Sequence, residues 1–270
     1  MPDQTPPTLL GQALEGNDLD YDGLVEWYAD EERGFFETNN EYHVREGFTY
    51  DQFALNWLHG KPIEGKHFPV ALAFGCAQGY DVACLPITVD RYIAIEPTTE
   101  YWSENIGGKP AEFRKPNITG KIDLPDDHVD FVCAIACLHH VANVEYVVSE
   151  LSRVLKPGGF IFIREPTISM GDFRLDRPGL TKRERGIPVN LMKKYISQSG
   201  LNLIANTYCS LNPLKTVFNK FRVYAPYNHK SFVMLDYLLG RLLGFNAKYY
   251  RPRLVDKFAP GSMAYVARKA

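Results

Sequence analysis

What the chain has little of narrows it first. Its 270 residues contain no apolar run long enough to span a bilayer, only five cysteines, and no marked excess of either charge, the formal net being -2. The opening MPDQTPPTLLGQALEGNDLD lacks the basic start and hydrophobic stretch of a signal peptide, so none is expected. The most apolar segment, 232–245, carries Asp236 and Arg241 and is too short to cross a membrane. It is expected to be an amphipathic helix serving the core or an oligomer contact, with a membrane surface as the minor alternative. Cys76, Cys84, Cys133, Cys137 and Cys209 are odd in number and lack zinc-ligand or disulfide-framework spacing. Buried thiols, a reducing cytoplasm and no bound metal are therefore the expectation. Neither internal repeats nor basic–aromatic interleaving occurs, which argues against solenoids and against a nucleic-acid partner.

What charge there is lies unevenly. Residues 1–60 hold thirteen acids against Arg33 and Arg45, whereas 212–257 hold nine bases against Asp236 and Asp256. Two solvated faces of opposite sign would attract each other; alternatively, the basic segment faces a phosphate-bearing substrate or an anionic surface.

Along the chain, Pro2, Pro6, Pro7, Gly11 and Gly16 interrupt any regular element, so 1–20 reads as a flexible N-terminus. From 21 to 65 the spacing of Leu24, Trp27, Tyr28, Phe35, Phe36, Tyr42, Phe53 and Trp57 predicts amphipathic helices that cap something else, since alone they make a thin core. After Gly65 the pattern alternates. Apolar runs at 68–74, 91–95, 111–114, 129–135, 160–164, 203–209 and 264–268 predict seven strands. Helices are predicted from 79 to 85, from 144 to 155 and from 189 to 199, the second ended by Lys156-Pro157-Gly158-Gly159. Such alternation gives a mostly parallel sheet with helices on both faces, interrupted by an insertion at 210–260.

Three motifs carry chemistry. Phe74-Gly75-Cys76-Ala77-Gln78-Gly79 follows the first strand directly, and glycines at a strand exit let a ligand lie against the backbone while a following helix presents free N–H groups. The glycine spacing is G-x-x-x-G, not the G-x-G-x-x-G that cradles a dinucleotide pyrophosphate, which disfavours a nicotinamide-dependent reductase. Glu96, followed by Pro97, ends the second strand, where a carboxylate can accept both hydroxyl protons of a ribose. His139 and His140 follow the fourth strand and Glu165 the fifth, at the same sheet edge as the glycine turn. An imidazole with a pKa of about 6.5 suits a general base, and His140 is preferred with His139 as alternate. Helix capping and backbone hydrogen bonding would explain the same pair without chemistry, and pairing with Arg164 or Lys156 would explain Glu165.

The succession Asp123-Leu124-Pro125-Asp126-Asp127-His128-Val129-Asp130-Phe131-Val132, then Cys137-Leu138-His139-His140-Val141, then 150–159 (ELSRVLKPGG) resembles the class I S-adenosylmethionine-dependent methyltransferases, especially the branch similar to the ubiquinone-biosynthesis methyltransferases. The resemblance runs continuously over 68–165. It implies an α/β fold: a seven-stranded, mostly parallel Rossmann-like methyltransferase sheet at 66–270, with an N-terminal helical cap and an insertion before the last strand. S-adenosyl-L-methionine is the implied cofactor. Phe74, Gly75, Cys76, Ala77 and Gly79 would wrap its methionine and ribose portions, and Glu96 and Pro97 would close on the ribose. Asp123 and Leu124 would flank the adenine, while Ile135, Ala136 and Cys137 would line the methyl-donor end. The sequence departs from that pattern at Ala73, Ala77 and Gly120, where an acid, a glycine and an acid are usual. The alternative these departures raise is a degenerate methyltransferase fold acting as a non-catalytic binding subunit.

The acceptor is expected to be a small molecule, most plausibly a hydroxyl of a sugar or glycan precursor, with a homo-oligomer left open. Arg174, Arg177, Lys182, Arg183, Arg185, Lys215 and Arg222 form a cationic supply suited to a phosphate-bearing sugar. The runs 180–188 (LTKRERGIP) and 257–262 (KFAPGS) are similar to bacterial methyltransferases associated with cell-surface polysaccharide assembly.

Overall fold

A computed structural model describes residues 5–39, 53–222 and 226–270. The central apolar runs, at 68–74, 91–95, 129–135 and 160–164, become strands that are largely buried on both faces, a position that favours continuous hydrophobic sequence, whereas the edge runs at 111–114 and 203–209 stay partly exposed. β1 (His67–Phe74), β2 (Thr88–Ile95), β4 (Lys109–Arg114), β5 (Val129–Ile135) and β6 (Leu155–Pro166) pair in parallel. β8 (Ser262–Lys269) runs antiparallel between β6 and β7 (Leu201–Cys209). A further two-residue strand, β3 (Asn105–Ile106), folds back on β4 through Gly107 and Gly108, both at positive φ. The sheet therefore has eight strands, not the expected seven, in the order β3-β4-β2-β1-β5-β6-β8-β7. Lys156-Pro157-Gly158-Gly159, expected to turn the chain, lies inside β6, where Lys156 pairs with Asp130 at 2.7 Å.

Alternation along β5 divides the core in two. Val132 and Ala134 face a cluster closed by α2 (Val144–Val154) and α3 (Val189–Gln198), whose apolar stripes repeat at helical spacing. Phe131, Cys133 and Ile135 face the second cluster, where Phe68 and Phe131 stack with ring centroids 4.8 Å apart. Short turns close much of this second face. The helix predicted at 79–85 is reduced to a 3-10 turn, Val82–Cys84, and Leu55 arrives from a π-helical turn, Ala54–His59. Asp81 caps the 3-10 turn, accepting from the Val82 N–H at 2.8 Å.

The segment before the first helix is not loosely attached. Leu9 and Leu14 are buried, and the Glu15 carbonyl accepts two hydrogen bonds from the Arg185 guanidinium, at 2.8 and 3.1 Å. α1 (Tyr21–Asn39) follows, held by Trp27, which is 1 % exposed. The remainder of the predicted cap at 40–52, including Tyr42, lies outside the described residues. Among the described residues, acids of α1 find cations in the 180s. Asp30 pairs with Lys182 at 2.9 Å and Arg183 at 2.8 Å, and Glu26 pairs with Arg183 at 2.9 Å. Within the insertion, α4 (Asn212–Lys220) packs on α5 (Lys230–Leu243), Phe218 meeting Phe232 edge-on at 4.8 Å. The helix expected over 232–245 is therefore present as α5.

Candidate active site

The strand exits of β1, β2, β5 and β6 share one edge, as open α/β sheets require of a ligand crevice. At the β1 exit the chain does not enter a helix. Gly75, Ala77 and Gly79 lie in the left-handed region, with φ of 58, 47 and 76°. This conformation costs an L-residue about 1–2 kcal/mol, so Ala77 needs compensation. It finds some in Glu96, whose Oε2 accepts from the Ala77 N–H at 2.8 Å. Glu96 Oε1 accepts from the Thr98 N–H at 3.0 Å, and Trp102 Nε1 donates to the Glu96 carbonyl at 3.1 Å. Burial pushes the Glu96 carboxyl above its ordinary pKa, the Thr98 and Ala77 hydrogen bonds opposing this in part. A carboxylate offers about four acceptor sites, so two backbone donors leave capacity for a pair of hydroxyls.

The two motif glycines are fixed by close approach as well as by φ. A Cβ on Gly75 would lie 2.5 Å from Cys137 Cβ, and one on Gly79 would lie 2.6 Å from Ile106 Cγ2. The β1 exit therefore touches the β5 exit directly, and the Cys137 thiol donates to the Phe74 carbonyl at 3.1 Å. Cys76 and Cys137 are buried, and burial raises both thiols far above their ordinary pKa, which leaves them inert as nucleophiles.

At the β5–β6 edge, Glu165 is 1 % exposed and organises the chain around it. Its Oε1 accepts from the Cys137 and Leu138 N–H groups at 2.9 and 2.8 Å, and its Oε2 meets His139 Nδ1 at 2.7 Å. On the other side of His139, Nε2 lies 3.7 Å from Glu184 Oε1. The His140 ring lies beside it, tilted by 42° with ring centroids 4.1 Å apart, and its Nδ1 is 2.6 Å from Glu31 Oε2. Glu31 is itself fixed by the Thr181 hydroxyl at 2.9 Å and the Arg183 N–H at 3.0 Å. Burial draws the His140 pKa down, but the hydrogen bond and charge of Glu31, with Glu184 and Glu165 behind them, more than offset this and hold it above the ordinary value. The backbone of the pair is clamped as well. Trp27 Nε1 donates to the His140 carbonyl at 2.8 Å, while the fully buried Arg185 donates to the carbonyls of His139, Val141 and Ala142.

The structure thus brings together Phe74, Gly75, Cys76, Ala77, Gly79 and Glu96 at one end and Ile135, Cys137, His139, His140 and Glu165 at the other. Ala136 joins them at φ 52°, exposed, its N–H held by the Arg164 carbonyl at 2.8 Å. Pro97 is exposed beyond Glu96. Asp123 is an exposed side chain, and its carbonyl accepts from Arg114 at 2.9 Å; the carbonyl of the buried Leu124 accepts from Arg153 at the same distance. Gly120, where the family pattern has an acid, sits at φ 80° with Val147 Cγ2 2.6 Å from any Cβ, so no side chain fits there. Of the expected cationic supply, five members are engaged elsewhere. Arg185 and Arg177 donate to backbone carbonyls, Arg174 pairs with Asp172, and Lys182 and Arg183 hold α1. Sequence reasoning does not reach Glu31 and Glu184 as partners of the histidines. The one available signal is that Glu31 lies four residues after Trp27, on the same inward face of α1. His139, His140 and Glu184 each offer one ligand atom within 4.8 Å of the others, so this is where a cation would sit.

Residues 72–163 match a family model described as a methyltransferase domain. No curated protein matches the chain in sequence. Among solved structures, an S-adenosylmethionine-dependent methyltransferase from Mesorhizobium loti is similar, with a TM-score of 0.50 and 14% identity over 79% of this chain and 97% of that one. The 1,6-didemethyltoxoflavin-N1-methyltransferase of Burkholderia thailandensis, solved with 1,6-didemethyltoxoflavin and S-adenosylhomocysteine, gives 0.51 and 13% over 93% of this chain and 91% of that one. The cyclase SpnF gives 0.50 and 13% over 92% and 96%. At such identities the likeness speaks for the fold, and the activity rests on the domain match, which spans the glycine turn, Glu96 and the histidine pair. Residues 72–163 are thus a methyltransferase domain whose cofactor is S-adenosylmethionine.

Proposed function

We propose that the chain transfers the methyl group of S-adenosylmethionine to a hydroxyl of a small polar acceptor, a sugar or glycan precursor. The turn at 75–79 receives the methionine and ribose portions, Glu96 accepts from the ribose hydroxyls, and the backbone at Asp123 and Leu124 flanks the adenine. Ile135, Ala136 and Cys137, between the glycine turn and the histidines, would line the methyl-donor end of the cofactor. Transfer is an in-line displacement: the acceptor oxygen forms a bond to the methyl carbon as the carbon–sulfur bond breaks, leaving S-adenosylhomocysteine. The hydroxyl must give up its proton, and His140 Nε2 takes it. The observation that carries this reading is the pair of carboxylate-held imidazoles beside Cys137, the residue that abuts Gly75. With Nδ1 of His140 donating to Glu31, the Nε2 lone pair is directed away from α1, and the imidazolium formed on proton uptake is stabilised by the same carboxylate. Glu184 Oε1, 3.7 Å from His139 Nε2 and so beyond hydrogen-bond range of it, is a carboxylate oxygen to which a hydroxyl of a polyhydroxyl acceptor can donate.

Calorimetric titration of S-adenosylhomocysteine tests the cofactor half. Glu96→Ala should weaken binding by about 1.5–3 kcal/mol, the usual worth of hydrogen bonds to a charged group. An unchanged affinity removes Glu96 from the site. Mass-spectrometric screening of sugar nucleotides and free sugars for the gain of one methylene tests the acceptor half.

A further inference from the structure

A helix lying on a globular core normally has one apolar face, turned inward. α5 has two. Phe232, Val233, Asp236 and Gly240 form its buried side. Met234, Leu238 and Leu242 follow one another at four-residue intervals on the opposite side, 39, 55 and 68% exposed, with Leu235 beside them. Phe245, 88% exposed, prolongs the stripe past the helix end. There the Asn246 side chain donates to the Val255 carbonyl at 3.0 Å, which fastens a second exposed group, Leu254, Val255 and Phe258, alongside. Apolar side chains scattered singly need no explanation, but a contiguous set of this extent marks an interaction surface.

The charge around the stripe identifies the partner. Segment 212–257 carries nine bases and two acids, and both acids are buried, Asp236 at 3% and Asp256 at 2% exposure. Asp236 accepts from the N–H groups of Ser210 and Leu211, and Asp256 pairs with Lys248 and Arg253. Lys215, Lys220, Arg222, Lys230, Arg241 and Lys257 remain exposed, with no exposed carboxylate among the described residues of the segment. A second copy related by a two-fold axis would set these cations against their own kind. A layer of phosphate head groups over hydrocarbon meets both features at once. No helix among the described residues is long and apolar enough to cross a membrane, so the fitting geometry is a helix lying in the interface plane.

We propose that α5, with the 254–258 loop, docks the enzyme on an anionic lipid surface, the exposed cations of the helix and the loop, Arg241 and Lys257 among them, at the head groups and Leu238, Leu242 and Phe245 in the acyl boundary. The proposal is independent of the acceptor chosen above. The 270-residue chain is expected to sediment with vesicles of phosphatidylglycerol mixed with phosphatidylcholine and to stay in solution with phosphatidylcholine alone, the bound fraction falling as salt rises. The double variant L238E/L242E, whose altered side chains already face water, should keep the parent Tm and lose at least about tenfold in partitioning, or ~1.4 kcal/mol. Equal binding to both vesicle types, or none to either, overturns the proposal. So does a lipid-free dimer in light scattering that L238E/L242E splits, because the stripe would then belong to a second copy.

Discussion

At the β1–β2 end of the site the work is done by backbone. Three left-handed residues at alternate positions, one carboxylate at the end of the neighbouring strand, and a cysteine filling the space a side chain on Gly75 would need make up the whole device. At the β5–β6 end the work is done by side chains brought from elsewhere: Glu165 from β6, Glu31 from α1, and Glu184, Thr181 and Arg185 from the loop before α3. The buried acids show the contrast most clearly. Glu165 is matched by two backbone N–H groups and an imidazole, whereas Asp81, just behind the cofactor turn, caps the Val82 N–H and is driven by burial to keep its proton. A site can therefore hold one half rigid through local geometry and the other through long-range charge pairing, and the two halves should fail differently.

The largest effect should separate them outright. His140→Asn keeps a side-chain donor for Glu31 but removes the base, and turnover should drop about 10²–10⁴-fold while S-adenosylhomocysteine binds as before. A matching loss of cofactor affinity would break the distinction between the ends. In the parent enzyme the acid limb of the rate profile should lie above the ordinary histidine pKa, because Glu31, outweighing burial, raises that of His140.

Next comes the pH dependence of stability. Burial lifts the Asp81 pKa from 3.8 to about 7. Between these values the folded chain holds a proton that the unfolded chain has released. Folding is therefore favoured by this group at low pH, loses that support as pH rises through the window, and does not regain it above. The loss across the whole window is up to about 4 kcal/mol, following from 2.303RT per bound proton for each step of one in pH. Denaturant unfolding across that range should show the decline, and Asp81→Asn should flatten it. A slope unchanged in the variant would assign the dependence to other groups.

The smallest effect sharpens the local half. Gly75→Ala forces a side chain into φ 58° and into Cys137 Cβ, and should cost about 2–3 kcal/mol of stability. Cofactor affinity should fall with it, whereas kcat at saturating cofactor should change far less, since a Cβ on Gly75 meets Cys137 and neither His140 nor Glu31. A fall in kcat alone would mean that the ends are not separable.

These differences also decide what can be read from the sequence. The glycine turn and Glu96 are legible because Ala77 and Glu96 are only 19 residues apart and joined through adjacent parallel strands. The β5 and β6 strands are legible because their central stretches, 131–135 and 160–163, are wholly apolar and largely buried. Strand β3 is not, since two residues, Asn105 and Ile106, leave no periodicity to detect. The helix expected at 79–85 does not form, although helix-compatible residues follow Gly79, because Ile106 and the Val82–Cys84 turn already close the cluster it would have covered. The cationic supply is misleading because charge counts do not say who pairs with whom. Lys182 and Arg183 lie near the site edge in sequence but belong to Asp30. Glu31 stands 109 residues from the imidazole it holds, and only the docking of α1 makes them neighbours.

That docking has a functional corollary. His140, the proposed proton acceptor, and Glu31, the carboxylate that holds its Nδ1, sit on different layers of the molecule, the sheet edge and α1. Trp27 and Glu31, one helical turn apart, grip the carbonyl and the ring of the same histidine. Lifting α1 would release both grips together, leaving His140 free to rotate and its lone pair unaimed. On the proposed role of His140, seating of the first helix and arming of the base are one equilibrium, and whatever favours the seated helix favours turnover.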